Sequence, residues 1–276
     1  MSAPQYVLIT GCSDGGIGAS LALAFQRRGF HVIATARSVK RMSTLESVAN
    51  VTLLPLDVTS PTSMQDALKK TVTVTGGKLH YLVNNSGVSY VMPTLDTSIE
   101  EAKKMFDVNL WGVLAMTQAF NPLLIKAQGC VVNIASMTAY LNAPYWSLYA
   151  ASKAALSSMS ETLRLEYAPF GVRVVTVVTG AVETNIMSHG DGFALPDGSM
   201  YRPVFKNIED VARGKSLSSW LPVETYAERV LKDLMGGAHG KIWRGGLSST
   251  MRLISSLPGF IMVGLFSPVT IQFQET

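Results

Sequence analysis

The stretch VLITGCSDGGIG, residues 7–18, decides how this chain is read. A short apolar run stops at a cluster of glycines, and an apolar helical pattern starts directly behind it. Glycine lets the backbone turn sharply and pass close to a ligand. The helix that opens behind it offers unpaired N–H groups and a positive dipole end to an anion. Strand, glycines and helix in this order are the context of a dinucleotide-binding turn, with Gly11, Ser13, Gly16 and Gly18 as candidate contacts.

Outward from that turn the same rhythm repeats. Runs 6–10, 31–36, 51–56, 81–84, 131–135 and 172–178 are short, β-branched and nearly continuous in apolar residues, as strands buried on both faces are. Between them lie helical stretches at 17–28, 62–74, 98–127 and 147–168. This alternation predicts an α/β fold: a doubly wound parallel sheet of about seven strands with helices on both faces. No repeat or low-complexity linker interrupts the chain, so residues 1–276 are expected to form one domain. Residues 185–219 hold Gly190, Gly192, Pro196, Gly198, Pro203 and Gly214 with little periodicity, and are expected to form a lid. An amphipathic helix at 222–235 and a final edge strand at 241–244 should follow.

Composition narrows the class. Apolar residues make up 47% and charged residues 15% of 276, against a usual charged share of about 25%. That excludes a disordered chain. A net charge of +4, from 23 basic and 19 acidic residues, argues against nucleic acid as the main partner and suits an anionic cofactor. Cys12 and Cys130 are too few for a disulfide framework or a thiolate metal site, and the four histidines show no ligand spacing, so no metal is expected. The N-terminus shows no secretory signal, which makes the cytoplasm the expected location.

The second strand ends HVIATARS, residues 31–38. An NAD site places a carboxylate there to accept from the ribose hydroxyls. This chain has Ala36 followed by Arg37, whose planar fork pairs with a 2′-phosphate, and Lys40 and Arg41 add to the field. NADPH is therefore the expected cofactor. Asp14 complicates this, because its charge could lie near the same phosphate.

Four further motifs stand in order: LVNNSG (82–87), FDVNLWG (106–112), VVNIAS (131–136) and YAASK (149–153). Tyr149 and Lys153 are four apart and so share a helical face, where an ammonium would lower the tyrosine pKa from near 10. Ser136 closes a strand at its C-terminal end, where open α/β sheets bind their ligands. Together with TGCSDGGIG, these motifs resemble the single-domain branch of the short-chain dehydrogenase/reductase family, from residue 6 to residue 184. The resemblance implies a Rossmann-type sheet and an NADPH-dependent carbonyl reductase. It also implies roles: Tyr149 as proton donor, Ser136 orienting the carbonyl, Lys153 holding the nicotinamide ribose, and Asn109 supporting a proton-relay water. For the cofactor it implies Ile17 beside the pyrophosphate, Asp57 and Val58 at the adenine, Asn84 and Gly87 along the adenosine ribose, and Val182 and Thr184 at the nicotinamide amide and phosphates. A homodimer or homotetramer, built on the helices that hold Asn109 and Tyr149, is implied as well.

Two features depart from the family pattern. Four residues separate Gly11 from Gly16 where three are usual, which leaves open whether Gly15 or Gly16 is the central glycine. Thr179-Gly180 stands where Pro-Gly is usual, which frees a φ angle before the lid. Both features, with the ARS after the second strand, resemble fungal acyl-dihydroxyacetone-phosphate reductases and reductases of secondary metabolism. The expected substrate is a small lipophilic or polyketide-like carbonyl compound. Phe193, Leu195, Met200, Tyr201 and Phe205 of the lid, and Met137, Tyr140, Tyr145 and Trp146 beside the catalytic residues, would form its apolar walls, the alternative being ordinary core packing. A second reading is a membrane-associated reductase, peripheral on endoplasmic reticulum or lipid droplet, acting on an acylated phosphate ester. Arg202, Lys206 and Arg213 would then form a basic patch. A distant third is a non-catalytic NADPH-binding regulator.

The apolar tail, 248–276, has no charge between 253 and 274, but Pro258, Gly259 and Pro268 leave only 260–267 uninterrupted. As helix those residues span about 12 Å, well short of a bilayer core of about 30 Å. The tail is expected to pack on protein, over the pocket or against a second subunit, with shallow membrane contact through Phe260, Ile261, Leu265 and Phe266 as the alternative.

Overall fold

The computed structural model describes residues 4–185, 192–215 and 219–255. Seven parallel strands form one sheet: β1 (Tyr6–Ile9), β2 (His31–Ala36), β3 (Val51–Pro55), β4 (Tyr81–Asn84), β5 (Cys130–Ser136), β6 (Arg173–Thr179) and β7 (Gly240–Arg244). Their spatial order is β3-β2-β1-β4-β5-β6-β7. The order reverses between β1 and β4, and ligands of open α/β sheets bind in the crevice at that switch point, beyond the carboxyl ends of the strands.

Both sheet faces are covered, which explains the uninterrupted apolar runs. Val7, Ile9, Val32, Val83, Val132 and Val175 meet α1 (Ile17–Arg27) and α7 (Val223–Met235) through Phe25, Tyr226 and Leu231. The alternate residues Leu8, Ile33, Leu82, Val131 and Val174 face α4 (Gly112–Ala127) through Met116, Phe120 and Leu124, with α2 (Pro61–Thr75) and α5 (Ser147–Tyr167) on the same side. Helix ends follow local chemistry. Ser60 caps α2 ahead of Pro61, and Gly76 closes it in the left-handed conformation. Ser98 caps α3 (Ile99–Phe106) by accepting from the Glu101 N–H.

Two elements differ from the sequence expectation. The helix foreseen over 98–127 contains one wider turn, Asp107–Trp111, with i→i+5 bonding between α3 and α4. Such turns insert one residue and re-aim the side chains around them. Within the segment expected to form a lid, Arg202–Val204 forms a 3₁₀ turn leading into α6 (Phe205–Ala212), which buries Ile208 and Ala212. Residues 186–191 and 216–218 of the lid, and the tail beyond the helix α8 (Ser248–Ile254), lie outside the described residues, so the expectations for Phe260 to Phe266 rest on sequence alone.

Candidate functional site

The Gly-rich turn leaves β1 and ends at Gly16, the N-cap of α1. No side chain caps that helix and no acidic residue sits in its first turn, so its N–H groups face an open crevice. Gly15 and Gly16 are glycines for different reasons: a Cβ on Gly16 would stand 3.0 Å from the Ser13 carbonyl oxygen. Gly15 has φ +71°, and a Cβ there would stand 2.6 Å from the Asn185 amide nitrogen; Gly16 has an ordinary extended φ of −98°. Gly18 must lack a side chain for another reason, because a Cβ would lie 2.4 Å from the Gly11 carbonyl oxygen. Ser13 accepts from the Gly16 N–H. Ile17 is partly buried at the first turn of the helix.

At the end of β2, Arg37 is exposed and lies close enough to Asp57 to favour its ionised form. The Asp57 carboxyl is held below its usual range chiefly by hydrogen bonds from Thr59 N–H and Thr59 Oγ1, at 2.9 and 2.7 Å, with Arg37 adding to the effect. Val58 is buried against Gly112 at the start of α4. Asn84 turns inward: its amide donates to Asn133 Oδ1 at 2.9 Å and it is 2% exposed. Its neighbour Asn85 bonds the Thr10 and Gly11 carbonyls at 2.8 and 3.0 Å, and Gly87 follows two residues on. A Cβ on Gly87 would approach Asn109 Oδ1 and Lys153 Nζ to 3.3 and 3.4 Å, so glycine keeps that approach clear. Val182 is buried and pairs with Leu221, and Thr184 follows it at the foot of the lid.

Ser136, Tyr149, Lys153 and Asn109 gather at the same end of the sheet. Ser136 ends β5 and is hydrogen-bonded to Tyr149, which lies in the first turn of α5. The Thr138 N–H and hydroxyl both reach Ser136 Oγ, at 3.2 and 2.9 Å. Lys153 Nζ lies 5.9 Å from the Tyr149 ring centroid and donates to the Ile134 carbonyl at 2.9 Å. That is its one hydrogen bond among the described residues, so a buried ammonium with three N–H groups keeps capacity for a polar ligand. Burial pushes the Lys153 pKa down to about 8. Burial likewise pushes Tyr149 up to about 12, against the pull of the Ser136 hydrogen bond, so desolvation overrides the lowering expected from the nearby ammonium.

Asn109 is fully buried in the wide turn. Its amide donates to Val88 O at 3.0 Å and Ser152 Oγ at 3.1 Å, while its oxygen accepts from Val88 N–H at 2.9 Å. Its side chain is thus committed to joining the loop after β4 to α5.

The expected apolar wall divides. Phe193, Leu195, Tyr201 and Phe205 gather with Val204, Ile208, Met92 and Tyr145. Met200 is 78% exposed and outside this cluster, and Tyr140 packs instead on Trp243 at the β7 edge, 5.2 Å between centroids, below Lys241. Tyr145 holds φ +70°, rare for a residue with a side chain, and its buried hydroxyl has no partner among the described residues. Such strain collects at ligand sites. Cys12 and Cys130 are buried and free, with pKa values raised by desolvation to about 12, and no cluster of metal-ligating residues occurs among the described residues.

Sequence reading missed Asn85 and Asn185. Asn85 sat inside a quoted motif beside Asn84, and only its contacts separate the two. Asn185 carries no local signal; its role depends on residues 171 positions away.

The family model for short chain dehydrogenase matches residues 5–191. The short-chain dehydrogenase PC-15 of Penicillium crustosum is 44% identical over 257 residues, covering 92% of this chain and 94% of that protein. The NADPH-dependent 1-acyldihydroxyacetone phosphate reductase of Schizosaccharomyces pombe is 40% identical over 273 residues, covering 94% of this chain and 91% of that protein. A short-chain dehydrogenase from Streptomyces avermitilis of known crystal structure superposes with a TM-score of 0.80 at 26% identity, covering 98% of both chains.

Proposed function

This chain belongs to the short-chain dehydrogenase family and is an oxidoreductase, and on that premise we propose that it reduces a lipophilic or polyketide-like ketone with NADPH, Tyr149 giving the proton. The crevice suits a dinucleotide. The uncapped N-terminus of α1 offers N–H groups to a pyrophosphate, Gly15 and Gly18 keep the backbone within reach, and Arg37 stands at the end of β2 without a carboxylate beside it in sequence. When bound, the nicotinamide supplies the hydride.

The chain's own residues do the rest. Ser136 Oγ donates to the carbonyl oxygen and fixes its orientation. Tyr149, kept protonated by its high pKa, transfers a proton to the oxygen as charge develops there. Lys153 holds the nicotinamide ribose and opposes negative charge left on Tyr149. Asn109 contributes through its main chain, since its side chain holds Val88 and Ser152. Exposed Ile99, Trp111 and Leu165 on the helices around Asn109 and Tyr149 support assembly as a homodimer or homotetramer. The buried free thiols fit a cytoplasmic location.

One observation favours an apolar ketone over an acylated phosphate ester. Among the described residues of 185–219 each Lys and Arg is paired within the segment: Arg202 with Asp197 at 3.2 Å, Lys206 with Glu209 at 2.9 Å, Arg213 with Glu209 at 2.9 Å and Lys215 with Asp210 at 3.6 Å. The aromatic cluster of the same segment, Phe193, Tyr201 and Phe205 packed on Tyr145, is built of uncharged residues. The phosphate-ester reading keeps its support from the Schizosaccharomyces pombe relative. The test follows deuterium from labelled NADPH into the product alcohol for a panel of aromatic polyketide ketones and for an acyl-dihydroxyacetone phosphate. Label transfer to the ketones with higher kcat/KM is expected; preference for the phosphate ester reverses the assignment.

A further inference from the structure

We propose that Asp14 is a positioning residue for cofactor selectivity: it holds the basic loop 37–45 against the Gly-rich turn and so builds the 2′-phosphate site without touching the phosphate. The proposal rests on the NADPH reading above.

Asp14 joins two segments that any adenosine phosphate must lie between. Its N–H donates to the Arg41 carbonyl at 2.7 Å. Its Oδ1 accepts from Thr44 N–H and Thr44 Oγ1 at 3.0 and 2.6 Å. Its Oδ2 accepts from Ser43 N–H and Ser43 Oγ at 3.0 and 2.8 Å. On the other side, the Asn185 amide donates to the Asp14 carbonyl at 3.2 Å. One residue thus ties together the pyrophosphate turn, the loop after β2 and the foot of the lid. The loop's inner side is fixed independently by Met42 and Leu45, both fully buried. Asp14 fixes its outer side, where Arg37, Lys40 and Arg41 stand exposed.

Charge makes the arrangement informative. A carboxylate beside three exposed cations ordinarily forms an ion pair. Here none of Arg37, Lys40 and Arg41 forms an ion pair within 4 Å among the described residues, and both oxygens of Asp14 are occupied by Ser43 and Thr44. Burial alone would raise the Asp14 pKa; the donors of Thr44 and Ser43 outweigh it and hold the carboxyl below its usual range. Asp14 therefore stays ionised and spends its charge on the loop rather than on Arg37, Lys40 or Arg41, of which Arg37 feels a neighbouring carboxylate, that of Asp57. The apparent conflict of an acidic residue beside a 2′-phosphate site is resolved by where its oxygens point.

The experiment measures binding of 2′,5′-ADP and of 5′-AMP to the full-length protein by calorimetry, for wild type, Asp14→Ala and Asp14→Asn. Wild type should bind 2′,5′-ADP the tighter; equal affinities would sink the NADPH reading itself, separately from the role of Asp14. Asp14→Ala should weaken 2′,5′-ADP about tenfold, as loss of a charged hydrogen-bond network does, and 5′-AMP less than about twofold. The same split should appear as a raised KM for NADPH with kcat little changed. Asp14→Asn, which retains one acceptor oxygen, should fall between. Should Asp14→Ala fail to fold, the double variant Ser43→Ala, Thr44→Val carries the test, with the same selective loss expected. Equal loss of both ligands, no loss, or tighter binding of 2′,5′-ADP would each overturn the proposal; the last would make Asp14 a repelling charge.

Discussion

Burial moves the pKa values of Tyr149 and Lys153 in opposite directions. Sequence spacing alone says that the ammonium lowers the phenol pKa; in the folded chain burial raises one to about 12 and lowers the other to about 8. Tyr149 is therefore a protonated acid over the whole working range. Tyr149→Phe should lower kcat by about 10²–10⁴-fold while NADPH still binds, read by steady-state rates and fluorescence titration. Lys153 gives a stability prediction with a definite sign. Its folded pKa lies below its unfolded value, so the unfolded state binds the extra proton between about pH 8 and 10.5, and the cost of the buried charge is fully present below 8. That cost is on the order of 3 kcal/mol before the lost Ile134 hydrogen bond is counted. Lys153→Met should thus be inactive yet more stable at pH 7, by roughly 1–3 kcal/mol, and the gap should close as pH rises through 8 toward 10.5. Urea titrations of both proteins at several pH values measure it; a gap that widens with pH would contradict the assignment. The candidate residues Ser136, Tyr149 and Lys153 were legible because each is a distinctive type at a strand end or helix face. Asp14, Asn85 and Asn185 were not, because hydrogen bonds between distant segments leave no local pattern.

At the scale of elements, the strands were legible for a simple reason: burial on both faces writes itself as an unbroken apolar run. The wide turn at Asp107–Trp111 was hidden, since one inserted residue barely disturbs an apolar periodicity. It nevertheless places Asn109 between the loop after β4 and α5. Helix α6 was hidden by glycines and prolines on either side, although Phe205, Ile208 and Ala212 carry helical spacing. Asn109→Ala would leave Val88 N–H, Val88 O and Ser152 Oγ without this partner. A loss of at least about 2 kcal/mol is expected, or a thermal midpoint lower by about 4–8 °C in calorimetry. An unchanged midpoint would mean that the three bonds are dispensable to the fold.

For the whole molecule, the two thiols serve as reporters. Cys12 lies in the first turn after β1, its N–H donating to the Thr35 carbonyl at 2.8 Å, and Cys130 opens β5 beside Tyr81, so the two thiols report on opposite ends of the sheet. Both are fully buried, and burial keeps them as unreactive thiols. Neither should react with a maleimide or disulfide reagent in the native state, and both should react together, at a rate set by global unfolding. Reaction of one thiol well before the other would reveal a locally opening half of the sheet. The same raised pKa values lower stability as pH climbs above about 8.5, where unfolded thiols ionise and buried ones do not.

The foot of the lid has a consequence for descent. Val182 pairs with Leu221, Ala181 bonds both ways with Gly246, and the Glu183 N–H donates to the Leu221 carbonyl at 3.0 Å. Both ends of the segment between are thereby stapled to one post beside β6 and β7. A longer or shorter insert hung on fixed ends changes closure entropy only slowly with length. A change of length between those ends therefore costs the fold little, provided that Asn185, which donates to the Asp14 carbonyl, and Ser199, which donates to Asp96, keep their places. Variation in length among relatives should then concentrate in that insert rather than in the sheet.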